Sequence, residues 1–253
     1  MPLTSFPAAA RQLVAASVPL AIGRLRHENE TVAVWIKPGE SWFEVLTEIE
    51  IVSFPELAGI FDSSMNDFEF LAIVGPAADR GQQVLHVMRV AFPSSDRFCF
   101  LLEDLIRSGQ VSRPEIVEDL ALRGLDPLGL LSVESSARVQ PLSAAGSAAV
   151  AAYRSVLDRV VRDGFCGVVA HQNRAAQRSF GRIGLGTEPI LSNRVVHTPD
   201  GHGGLDSRYQ PRVIPLPLSV REVLSGGEQG LTALSTVDGA WQRIDPGVGR
   251  TAS

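Results

Sequence analysis

"GVVAHQNRAAQRSFGRIGL", residues Gly167 to Leu185, changes character half-way. With the two residues before it, "FCGVVAH" (Phe165 to His171) is a short apolar run that reads as a strand. It stops on the polar trio His171-Gln172-Asn173. Asn173 then opens a helix that carries Ala176 and Phe180 and stops at Gly184. A strand that turns at once into a helix presents backbone groups to a ligand at its C-terminal end.

Upstream of this unit, "PLSAAGSAAVAAYRSVLDRVVRDG" (Pro141 to Gly164) reads as a loop feeding a long helix that ends at Gly164. Its buried stripe is Val150, Tyr153, Val156, Leu157, Val160 and Val161. "LGLLSVESSARVQ" (Leu128 to Gln140) before it reads as a strand that alternates in its second half. "FEFLAIV" (Phe68 to Val74) and "QVLHVMRVAF" (Gln83 to Phe92) form a hairpin around a Gly/Pro-containing loop. Thr31 to Ile36 is another strand, and Cys99 to Ser108 and Pro114 to Arg123 are helices. Ala8 to Leu25 has helical spacing. Trp42 to Ile60 mixes helix and strand signals. After Pro189 come "VVH", a turn at "TPDGHGG" and the strand "PRVIPL". The order of elements predicts an α/β chain with a mixed sheet. The domain is expected to span residues 1–218, with a partly flexible extension at 219–253 and a short helix at Val220 to Leu224.

Composition narrows the function. The 253 residues are 45% apolar and carry a net charge of −5. That supplies a sizeable core and argues against binding nucleic acid by bulk charge. Lys37 is the single lysine, so a phosphate-binding loop of the Gly-Lys-Ser type is excluded. Cys99 and Cys166 are too far apart in sequence to suggest a disulfide framework or a zinc site. The apolar N-terminal stretch is broken by Arg11 and Pro19, and nothing reads as a membrane span. A cytoplasmic location is expected.

The segment from Leu128 to Leu185 resembles the core of the GNAT-type N-acyltransferase superfamily. In that family a strand ends in a polar residue, and a helix follows with Asn, Ala, Tyr and Gly at fixed spacing. Here Asn173, Ala176, Phe180 and Gly184 occupy those positions. The resemblance implies a mixed, mostly antiparallel central sheet flanked by helices. It also implies acyl-CoA or acetyl-CoA as co-substrate, or an acyl carrier protein, and no metal. Val139, Ser143, Ala145, Gly146, Ser147, Ala148, Asn173 and Phe180 would then line the donor site. The run from Ser143 is small throughout and starts a helix, where free amides and the dipole favour phosphate oxygens. Two neighbouring parallel strands that splay apart would leave a slot for the pantetheine arm.

The match has two departures. Counted from Gln140, the pyrophosphate loop offers Ser143 and Ala145 where the family has glycines, and its usual basic residue is missing. This favours a donor held mainly by its pantetheine arm. The family's Tyr, which protonates the leaving thiolate, is Phe180 here, and a phenyl ring cannot donate that proton. A closer similarity is to acyl-homoserine-lactone synthases and N-acyl amino acid synthases. It rests on "FDSSMNDFEFLAIV", Arg89, Glu134 and Ser136, with Ala137 where that branch has Arg.

Acyl transfer to an amine needs a deprotonated amine and a stabilised oxyanion. Glu134 is the first candidate base, acting directly or through one water; the alternative is a solvent-facing strand residue. His86 is the second, against a merely packed strand histidine. Arg89 is the candidate to hold an acceptor carboxylate by a bidentate contact, against a surface arginine. "LSGGEQ" (Leu224 to Gln229) copies an ABC-type ATPase signature without the nucleotide loop it needs. "HTPDGH" lacks a fourth metal ligand and is a strong turn former. The expected activity is transfer of an acyl group from a thioester to a small-molecule amine, in a chain that could form a homodimer. The alternatives are a degenerate member of the fold that binds a ligand or partner without turnover, and an interaction domain of a larger assembly.

Overall fold

The computed structural model describes residues 32–55, 68–76, 82–139, 142–182, 186–199, 204–216, 234–237 and 240–243. In chain order its elements are β1 (Val32–Ile36), α1 (Ser41–Ser53), β2 (Phe68–Pro76), β3 (Gln82–Ala91), α2 (Phe100–Arg107) and α3 (Arg113–Leu122). There follow β4 (Leu130–Arg138), α4 (Leu142–Arg162), β5 (Gly167–Gln172) and α5 (Arg174–Arg182). The last are β6 (Glu188–Pro189), β7 (Thr198–Pro199), β8 (Leu205–Asp206), β9 (Gln210–Pro215), β10 (Leu234–Val237) and β11 (Ala240–Arg243). The architecture is mixed α/β, with a seven-stranded, mostly antiparallel sheet and helices. The expected helices at Ala8 to Leu25 and Val220 to Leu224 lie outside the described residues.

The chain forms two compact units. The first takes in residues 1–91 and 133–155. Its centre is the β2–β3 hairpin, paired from Phe68↔Ala91 to Pro76↔Gln82, with β1 antiparallel on the other side of β2 and β4 following β3. Alternation along β2, and a one-residue bulge between Val84 and Val87 in β3, place Phe70, Ala72, Val74, Val84 and Val87 on one face. There they meet Trp42, Leu46 and Ile49 of α1. Burial of each large apolar side chain here stabilises by about 1.5–3 kcal/mol. The ambiguous segment after Trp42 therefore resolves as a helix, at least to Ser53. The hairpin register slips between Ile73 and Val74, which pair with His86 and Val84. Leu85 is the extra residue of this bulge, and its carbonyl accepts the Val139 amide at 3.1 Å. Bulges of this kind re-aim side chains.

The second unit takes in residues 92–132 and 156–253. Leu101, Leu102 and Leu105 of α2 and Ile116 and Leu120 of α3 pack with Leu130, Val169 and Val213. Ser112 and Glu115 form a capping box at the start of α3. Leu128 belongs to a 3₁₀ turn, Pro127–Gly129, so β4 starts at Leu130 rather than at Leu128. β5 pairs antiparallel with β9 from Gly167↔Pro215 to Gln172↔Gln210, and β6 pairs on the other side of β9. Glycine is required at 167, because a Cβ there would lie 2.7 Å from the Ile214 carbonyl oxygen. Val195 to His197 form no regular strand. Instead the Gln110 side chain donates to the His197 carbonyl (2.8 Å) and accepts its amide (3.0 Å). β10 and β11 pair antiparallel, with Val237↔Ala240 as their inner pair.

Of the α4 residues, Ala148 and Ala152 are buried in the first unit and Val156, Leu157 and Val160 in the second. Gly164, at φ +79°, ends this segment as expected.

Candidate active site

The two faces of β3 carry two different polar arrangements, both within the first unit. On the α1 face, Phe70 stands opposite Arg89. Glu50 lies on α1 beside Ile49, four residues after Leu46, so it falls on the helix's apolar stripe. The helix therefore carries its carboxylate into the core, where Glu50 is 1% and Arg89 3% exposed. Arg89 Nε donates to both carboxylate oxygens (3.0 and 2.8 Å), and Nη2 donates to Oε2. Ser135 of β4 donates its hydroxyl to Glu50 Oε1. The guanidinium carbon sits 4.4 Å from the Phe70 ring centre, 5.5 Å from Phe68 and 5.8 Å from Phe43. Both charges are neutralised and hydrogen-bonded, which is what burial of an ion pair demands.

This corrects the expected role of Arg89. Its Nε–Nη2 edge grips Glu50, so that edge is not offered to an acceptor carboxylate, and the residue is not on the surface. Its work here is to tie α1 to the hairpin.

The opposite face carries the other candidate groups. His86 stands opposite Ile73 on the far side of the pleat from Arg89, and is 4% exposed. Its Nε2 lies 2.9 Å from Ser136 Oγ of β4. Ser136 in turn hydrogen-bonds the hydroxyl of Tyr153 on α4. Burial, and secondarily the nearby Arg138 charge, lower the His86 pKa to about 4. The imidazole is therefore neutral at physiological pH and able to accept a proton. Its Nδ1 has no hydrogen-bond partner among the described residues. Burial raises the Tyr153 pKa to about 12, although Ser136 works against the shift. Glu134 is two residues from Ser136 on β4. Alternation therefore places it on the same face, and it is buried at 8% exposure. The structure thus gathers Glu134 and His86 on one face and places Arg89 on the other.

The donor-site residues fare differently. α4 begins at Leu142, so amides 142 to 144 are those without an intrahelical acceptor. Ser143 is among them. The amides of Ala145, Gly146, Ser147 and Ala148 fall inside the helical ladder, and Ala148 is buried. The Val139 amide is taken by the Leu85 carbonyl, so it is not free for a pantetheine arm. Asn173 Oδ1 accepts the Ala176 amide at 2.8 Å, which makes this residue the N-cap of α5. This bond engages only the Oδ1 of its side chain. Phe180 lies in α5.

Three participants were missed in the sequence. Glu50 was signalled by an acidic residue at helical spacing within Leu46, Ile49 and Ser53. Ser135 adjoins two singled-out residues on an alternating strand. Tyr153 was counted into an apolar stripe, and its hydroxyl gave no signal of its own.

In the second unit, His171 Nδ1 lies 2.9 Å from Thr198 Oγ1, and burial lowers its pKa to about 4. A cleft of about 340 Å³ is bounded by residues 189–196 and 210–212, and none of the candidate residues lines it. Among the described residues no group of three or more His, Cys, Asp or Glu could hold a metal, and no helix is long and apolar enough to cross a membrane.

No family model and no curated protein matches the chain. Among solved structures, the chain is similar to FeeM, an N-acyl amino acid synthase from uncultured soil microbes. The identity is 11% and the TM-score 0.49, over 76% of this chain and 93% of that one. It is also similar to the AHL synthase LasI, at 13% identity and TM-score 0.46, over 79% and 96% of the two chains. A third is BjaI, a CoA-dependent acyl-homoserine lactone synthase solved with SAM and isopentyl-CoA. There the identity is 13% and the TM-score 0.47, over 78% and 89%. These identities are too low to equate individual residues.

Proposed function

We propose that the chain is an N-acyltransferase that moves an acyl group from a thioester to the amine of a small molecule. One observation carries the proposal. A buried, neutral His86, whose Nδ1 has no partner among the described residues, shares a face with Glu134 and is hydrogen-bonded through Ser136 to Tyr153. An amine attacks only after losing its proton, and a neutral imidazole or a carboxylate on this face supplies the acceptor. The donor is acyl-CoA, acetyl-CoA or an acyl carrier protein. Its phosphate is favoured at the start of α4, near Ser143, where free amides and the helix dipole meet small side chains. Its arm then runs along β4.

A second reading is a ligand-binding domain of the same architecture without turnover. The engaged Val139 amide and the capping role of Asn173 favour it.

Thiol release separates the two. Purified protein is offered acetyl-CoA, long-chain acyl-CoA and carrier-protein thioesters with a panel of amines. Acyl transfer predicts amine-dependent release of free thiol, reduced about 10²–10⁴-fold in Glu134→Gln or His86→Gln. No release with any donor selects the binding reading.

A further inference from the structure

His86 serves as a base only at the ring nitrogen that carries no proton. We infer that Ser136 is a positioning residue that keeps the ring proton on Nε2, so that Nδ1 is the atom that takes the proton of the amine. The inference rests on the acyl-transfer reading of this face.

The backbone brings the two side chains together. In an unbroken strand Val84 and His86 would share a face, because side chains repeat every second residue. Leu85 is the extra residue of the β3 bulge, so Val84 stays in the core with α1 while His86 turns to the other side. The Leu85 carbonyl accepts the amide of Val139, the residue after β4, at 3.1 Å. That bond ties the end of β4 to the bulge. Three residues earlier, Ser136 places its Oγ 2.9 Å from His86 Nε2.

One proton decides the chemistry of the ring. At physiological pH the imidazole is neutral and carries a single N–H. With the proton on Nε2, that N–H donates to Ser136 Oγ, and Nδ1 is a bare acceptor. With the proton on Nδ1, Ser136 donates to Nε2, and the Nδ1–H is a buried donor with no acceptor among the described residues. Among buried backbone groups a donor left without an acceptor is rarer than an acceptor left short, and the same desolvation cost falls on a ring N–H. The bond made by one ring nitrogen therefore fixes the state of the other.

The step balances. The amine lone pair attacks the thioester carbonyl carbon, a C–N bond forms, and the C–S bond breaks with its electron pair leaving on sulfur. The nitrogen's proton passes to Nδ1, while Nε2 goes on donating to Ser136 Oγ. The imidazolium then gives the Nδ1 proton to the thiolate through water. The products are an amide and a thiol, and the ring is back in its starting tautomer.

Two readouts on the full chain test this, one of them independent of turnover. Proton–nitrogen correlation spectra of histidine-labelled protein tell a bare ring nitrogen from a protonated one, and His86→Gln identifies the signal. The wild type is expected to show a bare Nδ1 and a protonated Nε2. Ser136→Ala is expected to move part or all of the ring to the Nδ1–H form, and Ser136→Thr, which keeps the hydroxyl, to restore the wild-type spectrum. In thiol release, Ser136→Ala is expected to lower kcat about 10²-fold, the lower end of what a positioned base contributes, with KM unchanged and Ser136→Thr close to wild type. A wild-type ring protonated on Nδ1, or an unchanged tautomer in folded Ser136→Ala, overturns the role of Ser136 while acyl transfer stands. So does a kcat within a few-fold of wild type in a variant whose tautomer has moved. A wild type that releases no thiol with any donor overturns acyl transfer, and with it the role of Nδ1, while the spectra still decide whether Ser136 sets the tautomer.

Discussion

Arg89 and Glu50 hold each other in a fork between β3 and α1, both charges buried, with Ser135 completing the carboxylate's hydrogen bonds. Removing one partner strands a charge in the core, which costs about 3–5 kcal/mol. Arg89→Met and Glu50→Leu are each expected to lower unfolding free energy by that amount in urea titrations. The double variant is expected to lose clearly less than the sum, since neither charge is then unpaired. Strict additivity would show that the two residues do not act as a pair.

His86 gives the protein an acid-sensitive stability. Its folded pKa, about 4, lies below the ordinary 6.5, so the unfolded chain binds more protons between these values. Stability is therefore full above pH 6.5, falls as the pH drops towards 4, and levels off below that. A shift of this size corresponds to a loss on the order of 3 kcal/mol. His171 is lowered by burial in the same direction and adds to the same window. Denaturation midpoints measured from pH 4 to 7 should show a shallower slope in His86→Gln than in wild type, without abolishing it.

Asn173 is expected to behave as a cap. Asn173→Ala removes the acceptor of the Ala176 amide and should cost about 1 kcal/mol. Asn173→Asp keeps an oxygen in place and should restore most of that stability. KM for the thioester should be the same in Asn173→Asp and wild type. A KM that rises several-fold in a fully stable Asp variant would return Asn173 to the donor site.

Two glycines with opposite surroundings test the β5–β9 pairing. In Gly167→Ala the new methyl would lie 2.7 Å from the Ile214 carbonyl oxygen and 3.1 Å from Leu130 Cδ2, and a paired backbone cannot step aside. The loss is expected to be about 1–3 kcal/mol or more. At Gly186 a Cβ meets nothing within 4 Å. Thermal unfolding should show a marked fall in Tm for the first variant and almost none for Gly186→Ala.

Elements with a clean period could be read from the sequence. The β2–β3 hairpin, β5 and its turn into α5, and the length of α4 all follow from alternation, a helical stripe or a terminating glycine. α1 was obscured because Trp42, Phe43, Val45, Ile49 and Ile51 are strand-favouring residues set at helical spacing, so the two signals compete. The β10–β11 hairpin had a marker that went unused: Asp238-Gly239 separates its paired ends. The bulge at Leu85 left no trace in the sequence, because it depends on the register between strands. The candidate site was legible for Glu134 and His86, whose residue types carry chemistry. The partner of Arg89 and the hydroxyl of Tyr153 depend on contacts between elements distant in sequence, which no local pattern encodes.

β3 separates its duties by side. One surface of the strand secures the scaffold through Arg89, and the reverse surface carries the buried His86. Replacement of the reactive residues therefore need not disturb the anchorage. A laboratory or a lineage could change the His86 side of this hairpin while its foundation stays intact.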